Sequence, residues 1–151
     1  MFTVNNNVLA FLLLLLIGLS AQLQASDNTI QVNKAEQGSL KSVMQGLLTA
    51  TQALTAAVLT EDFVMIEKAA KNIADHPKPS MATRMKLMKA MAADMTKFKA
   101  NDDVVHHAAV NMVKNAQQQN IKLITDDFQK MIGGCIACHS EFKSKVSVIL
   151  K

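Results

Sequence analysis

From Leu40 onward, apolar residues recur at spacings of three and four, the period of an α-helix with one buried face. This part of the chain shows no alternation of apolar and polar residues of the kind that marks a half-buried strand. The pattern therefore predicts an all-α protein whose first helix covers residues 40–59. Because short connections between amphipathic helices favour antiparallel neighbours, the expected architecture is an antiparallel four-helix bundle.

Capping residues predict where the helices begin and end. Ser39 or Gly38 is placed to start the first helix, and a second helix repeats the apolar pattern from Phe63 to about Asp75, ahead of the two prolines. A polar run of three Gln precedes Asn120, which is expected to cap the final helix.

A methionine-rich segment follows Ser80, which can cap it as a helix, and the position of this segment in the architecture is open. Its methionines recur at helical spacing: Met81, Met85, Met88, Met91 and Met95. The segment forms either an extra helix in the crossover that ends with Phe98, or one long kinked helix that continues into residues 102–116. In the first case Asp102 or Asp103 is the expected N-cap of the next helix. Thioethers select Cu(I), but a stripe of this spacing is more often core, which is the preferred interpretation.

The first 25 residues have the pattern of a secretory signal. The uncharged apolar run 8–19 is short for a bilayer span and is followed by small residues that end at Ala25. We expect cleavage after Ala25, which leaves residues 26–151 as one domain in the periplasm. Because residues 2–7 contain no Lys or Arg, an uncleaved anchor is the alternative.

Charge and composition restrict the function further. The formal net charge is +4, and the lysines read as scattered along polar helix faces. A mild positive surface suits an acidic protein partner, whereas the few aromatics and the diffuse charge argue against nucleic acid. Since neither a Ser/His/Asp set nor a carboxylate pair is legible from spacing, the chain is not expected to be an enzyme.

The chemistry is concentrated in Cys135, Cys138 and His139, a Cys-x-x-Cys-His motif with the spacing of c-type haem attachment. On a helix the three side chains share one face, so two thiols can add to the vinyl groups of one porphyrin while the imidazole reaches its iron. A redox dithiol and a structural disulfide are alternatives, but a redox Cys-x-x-Cys normally opens a helix after a strand. A zinc site would need further ligands at a matching spacing.

A C-terminal Cys-x-x-Cys-His in an all-helical chain, followed by Phe142 and Lys143, resembles the cytochrome c′ family, the class II c-type cytochromes. The helix 40–59 and its turn into Glu61 and Asp62 extend the resemblance over the mature chain. The family implies a four-helix bundle with one covalent haem c, redox proteins as partners, no membrane association of the mature form, and often a homodimer through the first two helices. Many members carry Arg where Lys143 stands here.

The resemblance also implies which residue faces the distal side of the haem, and that position falls on Met44. A thioether opposite His139 would raise the reduction potential and favour electron transfer. Met44 is therefore the candidate sixth ligand of a low-spin electron carrier, although ordinary core packing would also explain a Met there. The alternatives are a five-coordinate cytochrome c′ that binds NO or CO, and a thiol oxidoreductase.

Overall fold

The computed structural model describes residues 38–150, and within that range it contains five α-helices and no β-strand. The helices are α1 (Leu40–Leu59), α2 (Phe63–Ala74), α3 (Met81–Ala90), α4 (Met95–Gln117) and α5 (Ile121–Ile149). The all-α class is thereby confirmed for this part of the chain. The predicted signal segment 1–25 and its cleavage site lie outside the described residues.

Four of the five helices begin at a side-chain cap. Ser39, Asp62, Ser80 and Asn120 each accept a hydrogen bond from the backbone N–H three residues later, which satisfies a donor without an intrahelical partner. The predicted starts of α1, α3 and α5 are confirmed, and α2 ends at Ala74, one residue before the Asp75 expected from sequence.

The turns between α1 and α2 and between α4 and α5 have the same construction. In each, a residue other than glycine adopts the left-handed conformation, Glu61 and Gln119 both at φ 52°. The next residue, Asp62 or Asn120, donates its backbone N–H to a carbonyl five residues back, at 3.0 Å in both turns. This is the Schellman arrangement, which satisfies the last carbonyls of one helix. The same Asp or Asn then caps the following helix.

The predicted N-cap at Asp102 or Asp103 is wrong. Both residues lie inside α4, which begins at Met95 and runs without interruption to Gln117. The Met-rich segment is divided instead at residues 91–94, so α3 is a separate crossover helix and Phe98 belongs to α4. Phe98 and Val105 pack into two different apolar clusters, which anchors α4 on both sides of the two aspartates.

Helix α1 packs mainly on α2, α2 on α4, and α4 on α5, whereas α1 and α3 each touch α5 at few positions. Most of the buried side chains form a main cluster, built from α1, α2, α4 and the first half of α5. A second, smaller cluster joins α3 to the last part of α5; its buried members are Leu87, Met91, Phe142 and Val146.

Among the described helices, α1 alone has the length and mean hydropathy, 1.2, of a candidate membrane span. Core helices of soluble proteins meet the same criterion, and here Ala50, Leu54 and Ala57 of α1 are buried in the main cluster.

Candidate functional site

The Cys-x-x-Cys-His motif lies near the middle of α5. Both thiols are free and half-buried, and His139 is exposed on the same helix. With 3.6 residues per turn, Cys135, Cys138 and His139 fall within about 100° of one another around the helix axis. The helix therefore presents two sulfurs and one imidazole from a single face.

Gly134 determines which side of α5 is closed by protein. A Cβ on Gly134 would lie 2.9 Å from Val105 Cγ2 and 3.1 Å from Val104 Cγ1, so α4 approaches the α5 backbone here. His139 is about 140° further round the helix than Gly134, and it therefore points away from α4. The absence of a side chain at Gly134 therefore admits α4, whereas a Cβ on Gly133 would meet open space.

The apolar core is interrupted at the level of the motif. On α5 the main cluster extends to Ile132, and the second cluster begins at Cys138. On α1, Leu40 packs against the second cluster and Leu47 against the main cluster. Of the residues between them, Val43 is buried but belongs to neither cluster. Cys135 and Met44 both lie in the interval that belongs to neither cluster.

Apolar side chains are left uncovered at this interruption. Met44 is 37% exposed and Leu48 is 59% exposed, although both lie on the apolar stripe of α1. Leu40, one turn before Met44, packs against the second cluster, as Cys138 does, so the first turn of α1 approaches the same cluster as the motif. Exposure of this extent means that ordinary core packing does not account for Met44.

One guanidinium nitrogen of Arg84, on α3 near the second cluster, lacks a hydrogen-bond partner. Nε of Arg84 is buried and has no hydrogen-bond partner, while its Nη2 contacts Met81 Sδ at 3.7 Å. Arg84 lies one turn before Leu87, which packs in the second cluster. A buried guanidinium nitrogen is costly without an acceptor, so an anionic group is the expected complement.

The arrangement of the thiols argues against a redox dithiol. Reactive Cys-x-x-Cys pairs owe a lowered thiol pKa to a helix N-terminus or nearby cations. Here both cysteines are far from the start of α5, and burial raises the pKa of both thiols. Asp102 and Glu141 raise the pKa of Cys138 further.

The remaining histidines do not join the motif. His106 and His107 are both exposed on α4, and His106 Nδ1 lies 3.1 Å from the Ala74 carbonyl oxygen. His76 follows α2, in the loop before α3. Across residues 38–150, no three His, Cys, Asp or Glu side chains converge in the manner of a bare-metal site. A haem iron needs only one or two protein ligands, so this finding weighs against zinc rather than haem.

A groove of about 500 Å³ lies between α1 and α2, with Leu47, Asn72 and Pro77 among its lining residues. It contains no residue of α5, and it is therefore separate from the cysteines.

The expectation that the methionine stripe is core is wrong for most of its residues. Three of the five stripe methionines, Met81, Met85 and Met88, are exposed by 65%, 56% and 53%, whereas Met91 is buried. Helix α3 lies at the edge of the fold with little beyond Leu87 and Met91 covered, so helical spacing alone overstated its burial. Four of the sixteen cations lie within residues 76–90, a segment that contains no carboxylate.

No protein-family model, curated protein or solved structure matches this chain.

Proposed function

We propose that this chain is a periplasmic monohaem c-type cytochrome that carries electrons between redox proteins and has no substrate of its own. The observation that supports it best is the coincidence of the Cys-x-x-Cys-His motif with the interruption in the apolar core. A motif on a fully packed helix would leave no space for a porphyrin, and here the polypeptide leaves Met44 and Leu48 uncovered instead.

The residues present fit one covalently attached haem c. Cys135 and Cys138 would each add a thiol across a vinyl group, and His139 would ligate the iron from the same helix face. Arg84 would donate its unpartnered Nε–H to a propionate. The haem supplies a one-electron couple, and the protein adjusts its potential through the axial ligands and the polarity of the surroundings.

The proposal includes the architecture of the resemblance. In it α1, α2, α4 and α5 are the four bundle helices, α3 is an additional crossover helix, and the haem lies on the α1 side of α5. The close contact of α4 at Gly134 supports this side, since the α4 side of the motif is closed by backbone and valine side chains. The signal segment, the periplasmic location and the homodimer belong to the same proposal.

We further propose that Met44 is the sixth iron ligand. Replacing Met44 by Ala removes the thioether and leaves both cysteines and His139, so the variant should retain its haem and become five-coordinate. The parent should show a low-spin spectrum with a thioether-to-iron band near the red end of the visible range. The variant should lose that band and take up carbon monoxide readily when reduced.

Met65→Ala is the matched control, because Met65 of α2 has a similar exposed fraction, 40%, and belongs to neither apolar cluster. Its spectrum should equal that of the parent. A parent that is already high-spin and binds carbon monoxide would instead support the gas-binding alternative. A purified, exported protein without covalent haem would contradict the cytochrome proposal as a whole.

A further inference from the structure

The whole net charge of the protein originates in one short segment. Residues 76–90 hold four of the sixteen Lys and Arg residues, Lys78, Arg84, Lys86 and Lys89, and none of the twelve Asp and Glu residues. The rest of the chain has twelve of each sign and is neutral overall. None of these four cations forms an ion pair with a carboxylate in the described part of the chain, where Lys71, Lys97, Lys122, Lys130 and Lys145 all do.

An apolar stripe lies between these cations on α3. At about 100° per residue, Met81, Met85 and Met88 occupy a sector about 60° wide, and all three are more than half exposed. Arg84 and Lys89 each fall about 40° outside that sector, on opposite sides. Lys86 lies about 100° outside it, beyond Lys89. The exposed face of α3, defined here as Met81, Met85, Met88, Lys86 and Lys89, is therefore an apolar sector with two lysines on one side.

This face is close to the candidate haem site. On its inner side α3 buries Leu87 and Met91 against Phe142 and Val146 of α5, and Cys138 packs against the same cluster. A protein that docks on the exposed face of α3 is separated from the second cysteine by the width of one helix and one layer of side chains, about 10 Å.

We propose that the exposed face of α3 is the docking surface for an acidic protein whose own contact patch has an apolar centre. The inference rests on the proposed function only in taking that protein to be the electron donor or acceptor. Unpaired cations increase the rate of encounter with an acidic surface, and flexible methionines adapt to different apolar contacts. Met and Arg are enriched in protein interfaces, whereas a surface without function would normally intersperse both signs of charge.

An anionic membrane is the competing occupant, and the composition of α3 disfavours it. Helices that lie in the membrane interface insert large apolar side chains such as Trp, Phe and Leu opposite a basic face. The only Leu of α3 is buried and the helix has no aromatic residue. Lys89 borders the methionines instead of opposing them. A protein surface is the occupant that three thioethers beside a lysine fit better.

The test compares charge reversal on α3 with charge reversal elsewhere. The probes are a Glu-rich peptide with a central Leu-Leu pair and the same peptide with Ser-Ser, titrated into the full chain by calorimetry at low ionic strength. K86E/K89E should weaken binding of the Leu peptide about tenfold. The control K68E/K114E changes the net charge equally at exposed lysines of α2 and α4 without a carboxylate partner, and it should have less than a threefold effect.

The methionines are tested by the difference between the two peptides. The parent should bind the Leu peptide more tightly than the Ser peptide, and replacement of Met81, Met85 and Met88 by Ser should abolish that preference. Equal weakening by both lysine pairs, or a preference that survives the methionine replacement, would overturn the proposal. Binding to phosphatidylglycerol vesicles without preference for the Leu peptide would assign the face to a membrane.

A parent dimer that becomes monomeric in the methionine variant would assign the same face to self-association and overturn the proposal equally. Peptide binding does not require haem, so a protein that shows the Leu preference but lacks a haem spectrum would refute the proposed function and leave the docking surface supported. A protein that has a haem spectrum but shows no preference for the Leu peptide would refute the docking surface and leave the proposed function supported.

Discussion

The two ends of this molecule are built differently. Around the main cluster, four helices bury thirteen residues together, and Leu54, Ile66, Met112 and Ile124 have no exposed surface. Around the second cluster, α3 and the end of α5 bury four residues, while three methionines of α3 remain largely exposed. Cys135 and Met44 lie between the main cluster and the second cluster, and Cys138 packs against the second.

The two clusters differ in how much apolar burial contributes to the stability of the fold. Full burial of an apolar side chain stabilises the fold by about 1.5–3 kcal/mol, so the second cluster supplies roughly 6–12 kcal/mol. The main cluster buries six side chains larger than alanine, so the end that carries the motif has the smaller apolar contribution to stability. A tethered haem would add apolar contact surface there.

Removal of the tether should therefore have the largest effect, and the effect should be confined to one end. With Cys135→Ala and Cys138→Ala, expressed with the export signal, we expect little haem and a marked loss of helicity and thermal stability. Hydrogen exchange should show lost protection in α3 and in the second half of α5. The amides of α2 and the last turns of α1 should be the last to exchange.

The control for this experiment is the double variant T125A/S147A. Each of these hydroxyls donates to the backbone carbonyl four residues earlier in α5, so the variant truncates two side chains of the same helix outside the motif. It should keep its haem and nearly all of its helicity. A double-cysteine variant as helical and heat-resistant as its parent would show that the motif end does not depend on haem.

The sequence predicted the parts of this fold that local chemistry determines. Ser39, Ser80 and Asn120 were recognised as caps because an N-cap needs only one acceptor and three residues of chain. The same rule failed at Asp102 and Asp103, because packing of Phe98 and Val105 into separate clusters keeps α4 helical through two favourable cap residues. Tertiary contacts there outweigh a preference of about 1 kcal/mol.

Only part of the candidate site could be predicted from the sequence. Cys135, Cys138 and His139 follow from their spacing, but the interruption of the core does not, because the apolar period of α5 continues through it unchanged. The exposure of Met81, Met85 and Met88 was also hidden, since helical spacing gives a stripe without saying whether another element covers it. The charge of residues 76–90 was the missed signal, available from counting alone.

A smaller effect is expected where α4 and α5 meet beside the motif. In Gly134→Ala the new Cβ would lie 2.9 Å from Val105 Cγ2, 3.1 Å from Val104 Cγ1 and 3.5 Å from the Asn101 carbonyl oxygen. Valine side chains have little freedom to move aside, so the helices must separate. Overpacking of this kind costs about 1–3 kcal/mol in the free energy of unfolding, measured by denaturant titration.

Substitution of the neighbouring Gly133 should change the free energy of unfolding in the opposite direction. Gly133→Ala places a methyl group in open space and gains helix propensity, so it should stabilise by up to about 1 kcal/mol. Destabilisation by both substitutions would mean that the glycine pair is needed on the open side as well, as close approach of a porphyrin to the α5 backbone would require. A neutral Gly134→Ala would contradict the close contact of α4.

The smallest effect is expected at the main-cluster end, in the turn between α1 and α2. The side chain of Glu61 makes no ion pair in the described residues, so it contributes little to stability. Its backbone is at φ 52°, a conformation that costs roughly 1–2 kcal/mol for residues other than glycine. Glu61→Gly should relieve this cost, less the 0.5–1 kcal/mol or so that glycine loses in entropy on folding, and should raise the midpoint of thermal unfolding slightly. Glu61→Ala retains the strain and should change nothing. Because this turn is at the end of the molecule away from the cysteines, the visible spectrum of both variants should equal that of the parent, and a spectral change would show that the two ends are coupled.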